Sequence, residues 1–171
     1  VRLPPEALAQ QEAILAAFRG AGDPGQAVLQ ARLQQEPWKI DEAVRLAQLE
    51  LGENRKVVFF LDRVSRSAAT PKGFSEAIAE SEGTVRLLKA ALNRAGITKI
   101  SELHGQAKDV TGKTIPGHKA VEEFQSGKTD VMIATMKSGG VGISLDDRVG
   151  DAARTIIMIT PPWSAIEYAQ A

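Results

Sequence analysis

Five consecutive apolar residues, Val57-Val58-Phe59-Phe60-Leu61, constrain this chain more than any other feature. No polar residue interrupts the run, so it predicts a strand covered on both faces, as in the middle of a parallel sheet. Val131-Met132-Ile133-Ala134 is a second run of this kind, and Ile97 to Leu103 and Thr155 to Ile159 complete four predicted strands. Amphipathic segments stand between them. Thr84 to Ala95 carries Val85, Leu88 and Leu92 in helical register and stops at Gly96, and Pro116-Gly117 opens a helix over His118 to Gln125. Ser65 to Gly83 is polar and reads as a loop with a short helix, and Ser164 is placed to cap a terminal helix. Strands alternating with helices predict an α/β fold with a parallel sheet and right-handed crossovers.

Residues 1–54 have a different texture, rich in Ala, Gln, Glu and Leu, and predict three short helices. The first starts near Pro5, shows Leu8, Leu15 and Phe18 on one face, and ends at Gly20-Ala21-Gly22. Asp23-Pro24 reads as an N-cap followed by proline in the first helical position, with Gln26 completing a capping box. Glu36-Pro37 is expected to stop this second helix, because the residue before a proline is pushed out of the α region. Asp41 then caps a third helix, closed by Gly52 in a left-handed conformation. The expected division is a helical linker or insertion over 1–54 and an α/β domain over 55–171.

Composition excludes several classes of function. Lys and Arg number 21 and Asp and Glu 21, so any nucleic-acid contact must come from a local patch and not from net charge. The absence of cysteine removes disulfides, thiolate metal sites and cysteine nucleophiles. No apolar run approaches the roughly 20 residues of a membrane span. Val1-Arg2-Leu3-Pro4-Pro5 lacks both a signal-peptide core and an initiator Met, which reads as a piece of a longer intracellular protein, cytoplasmic or in the nucleoid or nucleus.

Two nucleotide-binding patterns fail on context. Ala107 to Thr114 matches a loose phosphate loop ending in Lys113-Thr114, but such a loop needs a helix beginning at once, and Pro116-Gly117 follows. Asp41-Glu42-Ala43-Val44 imitates a Mg-binding acidic box without the apolar strand that should precede it. Gly140-Val141-Gly142 fails as a dinucleotide fingerprint because Leu145 stands where the third glycine belongs.

Several segments match one family in order. Lys56 to Leu61 resembles motif IV of superfamily 2 helicases, Leu103-His104-Gly105 their "lHG" element, and Phe124 with Gly127 their "F..G". Asp130 to Leu145, DVMIATMKSGGVGISL, resembles motif V, and Pro161-Pro162-Trp163-Ser164 with Gln170-Ala171 resembles the approach to motif VI. The chain is thus similar, over residues 55–171, to the C-terminal RecA-like lobe of a superfamily 2 helicase or translocase. The Swi/Snf-like and strawberry-notch-like branches, including phage and viral types, are nearest in motif V and in the Pro-Trp-Ser segment.

The resemblance implies a RecA-like parallel sheet flanked by helices, preceded by a short helical N-terminal region. It implies nucleic-acid contacts by His104, Gly105, Thr135, Lys137, Ser138 and Gly139, and an ATP cleft touched by Gly140, Gly142 and Gln170. It also implies that ATP and Mg2+ are bound in the full enzyme by a missing N-terminal lobe, with DNA favoured over RNA as partner and no membrane involved. The chain itself carries no catalytic residue in this reading, since it ends at Ala171 before the motif VI arginines, which are worth about 10³ to 10⁵ in turnover in other phosphoryl-transfer enzymes. The isolated chain is therefore expected not to hydrolyse ATP. The rival readings are a self-contained enzyme using Lys113 and Thr114, and a non-catalytic α/β interaction module. Thr135 and Ser138 also suit a plain turn, and His104 a hydrogen-bonded structural histidine.

Overall fold

Alternation along the two central strands decides the layers. The computed structural model describes residues 5–18, 24–61, 83–104, 116–135, 145, 150 and 152–160. Among these residues one sheet forms from β1 (Lys56–Leu61), β2 (Ile100–Leu103), β3 (Val131–Thr135) and β4 (Arg154–Met158). Its order is β2-β3-β1-β4, and every neighbouring pair is parallel. The helices are α1 (Pro5–Phe18), α2 (Pro24–Gly52), α3 (Thr84–Arg94) and α4 (Gly117–Gln125). The chain is thus α/β with an all-parallel sheet flanked by helices, as expected of a RecA-like fold.

Every residue of β1 and β3 is buried, which accounts for their unbroken apolar runs. Successive side chains point to opposite faces. Val57, Phe59, Leu61, Val131 and Ile133 pack on one face against α2 and α3. Val58, Phe60, Met132 and Ala134 pack on the other, with Leu103 and with Phe124 of α4. Each such large side chain, fully buried, contributes about 1.5–3 kcal/mol relative to exposure. Val85, Leu88 and Leu92 of α3 lie in the first of these clusters, as their spacing predicts.

Five expectations need correction. Pro37 does not end a helix: α2 runs through it as a single helix of 29 residues. A proline in a helix interior costs about 3 kcal/mol, and burial on both sides of it opposes that cost. Glu36 is buried just before it, and Ile40, Ala43, Val44 and Ala47 after it share the core of the sheet. Asp41 accordingly lies exposed in the middle of α2 and caps nothing. The left-handed residue after α2 is Asn54, with φ 58°, and not Gly52; asparagine tolerates that region better than other side-chain-bearing residues. Finally, β2 starts at Ile100 and not at Ile97, because the Ile97 N–H turns back to Leu92 O at 2.9 Å and completes the end of α3. In α1, Leu8 is exposed and Ala7 is the buried residue of that turn.

Candidate functional site

In an open parallel sheet, ligands bind outside the carboxyl ends of the strands, where neighbouring strands lead off in opposite directions. Here β1 leads through α3 to β2 at one side, and β3 leads to β4 at the other, so the junction of β1 and β3 is such a point. The register places Leu103 opposite Ala134 and Leu61 opposite Thr135. His104, one residue beyond Leu103, therefore comes beside Thr135 at the carboxyl edge. Both are buried.

Alternation turns His104 and Thr135 toward the face covered by α2 and α3. The same face holds a buried polar cluster that the sequence reading had not singled out. Glu36 of α2 is only 1% exposed. Its two carboxylate oxygens accept separate hydrogen bonds: Thr84 Oγ1 donates to Oε2 at 2.7 Å, and Thr160 Oγ1 to Oε1 at 2.5 Å. Thr84 is the first residue of α3, and Thr160 lies just past β4. One turn further along α2, Lys39 Nζ donates to Ile159 O at 3.0 Å. A buried carboxylate is tolerated only when its lone pairs are matched, and here two hydroxyls contribute to that. Glu36 continues the buried stripe of Ile40, Ala43, Val44 and Ala47 at helical spacing. A carboxylate at the head of an apolar stripe was the readable signal.

At β2, Glu102 and His104 share a face because they are two residues apart. Glu102 Oε2 lies 2.9 Å from His104 Nε2, and Lys89 of α3 pairs with the other oxygen of Glu102. The hydrogen bond from His104, with Lys89 adding to it against the cost of burial, lowers the Glu102 carboxyl to about 2. The ring of His104 is thus held by a carboxylate that stays ionised. Sequence reading selected His104 and passed over Glu102, although strand alternation puts the two together.

The amino end of the sheet is built from other groups. Lys56, buried at the start of β1, donates to Phe124 O at 3.0 Å and lies 5.6 Å from the Phe124 ring centroid. Arg154 approaches the same ring at 5.3 Å. Both cations lie within reach of the quadrupole of that ring, which attracts them. Phe124 and Gly127, the pair likened to "F..G", serve here as a core anchor and as the left-handed turn after α4, with Gly127 at φ 77°. A cavity of about 450 Å³ opens nearby, lined among others by Arg55, Lys99 and Asp130, and Lys99 and Asp130 are paired at 3.5 Å.

Gly105, Lys137, Ser138, Gly139, Gly140, Gly142 and Gln170 lie outside the described residues, as do Lys113 and Thr114. Pro116, however, is extended at φ −62° and ψ 137°, and α4 starts at Gly117. No single helix therefore runs from Gly112 through Pro116, as a phosphate loop ending at Lys113-Thr114 would require. The acidic-box candidate at Asp41 lies within α2 and on no strand. Among the described residues no helix is long and apolar enough to cross a membrane, and no cluster of His, Asp and Glu is suited to hold a metal ion. No protein-family model and no curated protein sequence matches the chain.

Proposed function

We propose that this chain is the second RecA-like lobe of an ATP-dependent nucleic-acid helicase or translocase, acting with a first lobe that binds ATP and Mg2+. One observation carries the reading: the segments likened to motifs IV and V and to the "lHG" element form β1, β3 and the end of β2 of one parallel sheet, with His104 beside Thr135 at its carboxyl edge. Backbone phosphates suit such an edge, because hydroxyls, main-chain amides and a lysine hold them without reading bases. Thr135, Lys137, Ser138 and Gly139, with His104 and Gly105, are the proposed nucleic-acid contacts. Gly140, Gly142 and Gln170 are the proposed contribution to the ATP cleft, and DNA is favoured over RNA. Glu36 has both oxygens engaged by hydroxyls, so in this reading Mg2+ is held by the first lobe. Held there, Mg2+ would balance the negative charge of the nucleotide phosphates.

The test is ATP turnover by the purified chain, with and without single- and double-stranded DNA and RNA, beside a Lys113→Ala variant. Binding to the same nucleic acids is followed across a salt series. The expected result is no turnover, and weak binding that falls steeply with salt because phosphate contacts release counterions. Turnover abolished by Lys113→Ala would instead assign the activity to a self-contained phosphate-loop enzyme. Absence of binding at low salt would favour a non-catalytic interaction module.

A further inference from the structure

We infer that Glu36 is a positioning residue for the carboxyl edge of the sheet, so that α2 forms part of the site's framework and is more than a linker. The inference rests on the helicase-lobe reading for what is positioned; the brace itself rests on geometry alone. Glu36 lies outside residues 55–171, the span that carries the family likeness. It is nonetheless the only side chain among the described residues whose carboxylate is bonded to both Thr84 and Thr160. Thr84 is the first residue of α3. Thr160 lies two residues past β4 and directly precedes Pro161-Pro162-Trp163-Ser164 in the sequence. A single buried carboxylate therefore sets the separation of two points through which the chain passes at this edge.

The geometry is specific. One oxygen accepts from Thr84 and the other from Thr160, and Lys39, three residues along the same helix, fastens Ile159 O next to Thr160. Pro37 stands between these two anchors, and the helix continues through it. Buried polar groups that are fully matched restrict a structure to one arrangement more tightly than apolar packing does. Alternation along β3 and β1 turns Thr135 and Leu61 to the same face as this cluster, so a shift of Thr84 or Thr160 would reach the edge where His104 and Thr135 meet.

The experiment uses the whole chain with Glu36→Leu, which fills the volume without bonds, and Glu36→Gln. The glutamine carbonyl can accept from one hydroxyl while its amide donates to the other. Two quantities are read below the unfolding temperature: binding to fluorescein-labelled single-stranded DNA at low salt, and amide hydrogen exchange. In Glu36→Leu, exchange is expected to quicken about tenfold at residues 84–88 and 157–160 and to stay unchanged in α4, with DNA affinity about tenfold weaker. Glu36→Gln should restore both. Thr160→Val and Thr84→Val, which are milder, should each quicken exchange only at their own segment. Unchanged or uniformly raised exchange in Glu36→Leu overturns the proposal. Locally raised exchange with unchanged affinity overturns it too, since Glu36 would then be structural only. If the wild-type chain fails to bind DNA, the helicase-lobe reading fails instead, and exchange alone decides the brace.

Discussion

Helix α2 is tied to β4 and to the residue pair just past it, each time through a glutamate and a threonine, and the two ties differ in kind. At the amino end Glu50 accepts from Thr155 Oγ1 at 2.6 Å and pairs with Arg55 at 2.9 Å. The Thr155 hydroxyl first, and Arg55 second, hold the Glu50 carboxyl below the usual carboxylate range. That site is in contact with water, and its charge is neutralised by a neighbouring arginine. At the carboxyl end Glu36 is sealed away from solvent, and two hydroxyls take up its oxygens. Water screens the first arrangement and makes it tolerant of change. The second is out of contact with water, so its hydrogen-bond geometry is restrictive. One end of the sheet closes the scaffold, with cations on Phe124 and the ends of helices; the other keeps buried polar groups where a ligand would approach.

The largest expected effect tests whether the amino end is scaffold alone. Phe124→Ala removes a fully buried ring beneath Lys56 and Arg154 and should destabilise the fold by about 3–5 kcal/mol in denaturant unfolding. Molecules that remain folded should bind nucleic acid as the wild type does. A loss of affinity beyond that explained by unfolding would break the division between the two ends.

The second effect concerns Glu102 at the carboxyl end. Its carboxyl is lowered from 4.5 to about 2 in the folded chain. The unfolded chain therefore takes up the proton first as pH falls. The stabilisation is complete above about pH 4.5 and is lost as pH falls toward 2. Its full size is on the order of 3 kcal/mol. Thermal unfolding at pH 7 and pH 3 should show a smaller loss of stability on acidification for Glu102→Gln than for the wild type. Equal losses would mean that Glu102 is not held by His104 and Lys89 as described.

The smallest effect compares one glycine at each end. Gly83 precedes α3 at φ 104°, where a Cβ would lie 3.2 Å from Arg86 Cβ and 3.2 Å from its backbone nitrogen. Gly96 follows α3 at φ 83°, with open space around it. Gly96→Ala should cost about 1 kcal/mol from the left-handed backbone alone, and Gly83→Ala about 2 kcal/mol because crowding adds to that strain. Differential scanning calorimetry should rank them in that order; the reverse ranking would show the entry to α3 to be the looser place.

Residue patterns made the layers of this molecule legible. Unbroken apolar runs mark a strand that meets hydrocarbon on both faces, and so Val57 to Leu61 and Val131 to Ala134 identified the centre of a parallel sheet. Val85, Leu88 and Leu92 could form one stripe only on a helix. Local rules failed where other contacts outweighed them: the bias of Glu36-Pro37 against helix is opposed by burial against the sheet, and the Ile97 N–H bonds back to Leu92 at the end of α3. For the candidate site, His104 and Thr135 were found as ends of strands, but their adjacency depends on strand order, which no local pattern contains. Glu102 was within reach through the two-residue period of β2.

What the sequence determined alone was the set of elements and the faces they bury, because hydrophobic periodicity is a property of neighbouring residues. Only tertiary structure decided that Glu36, Thr84 and Thr160 meet. They are separated by 48 and 124 residues along the chain, and a hydrogen bond between such residues exists only after the sheet and its helices have packed.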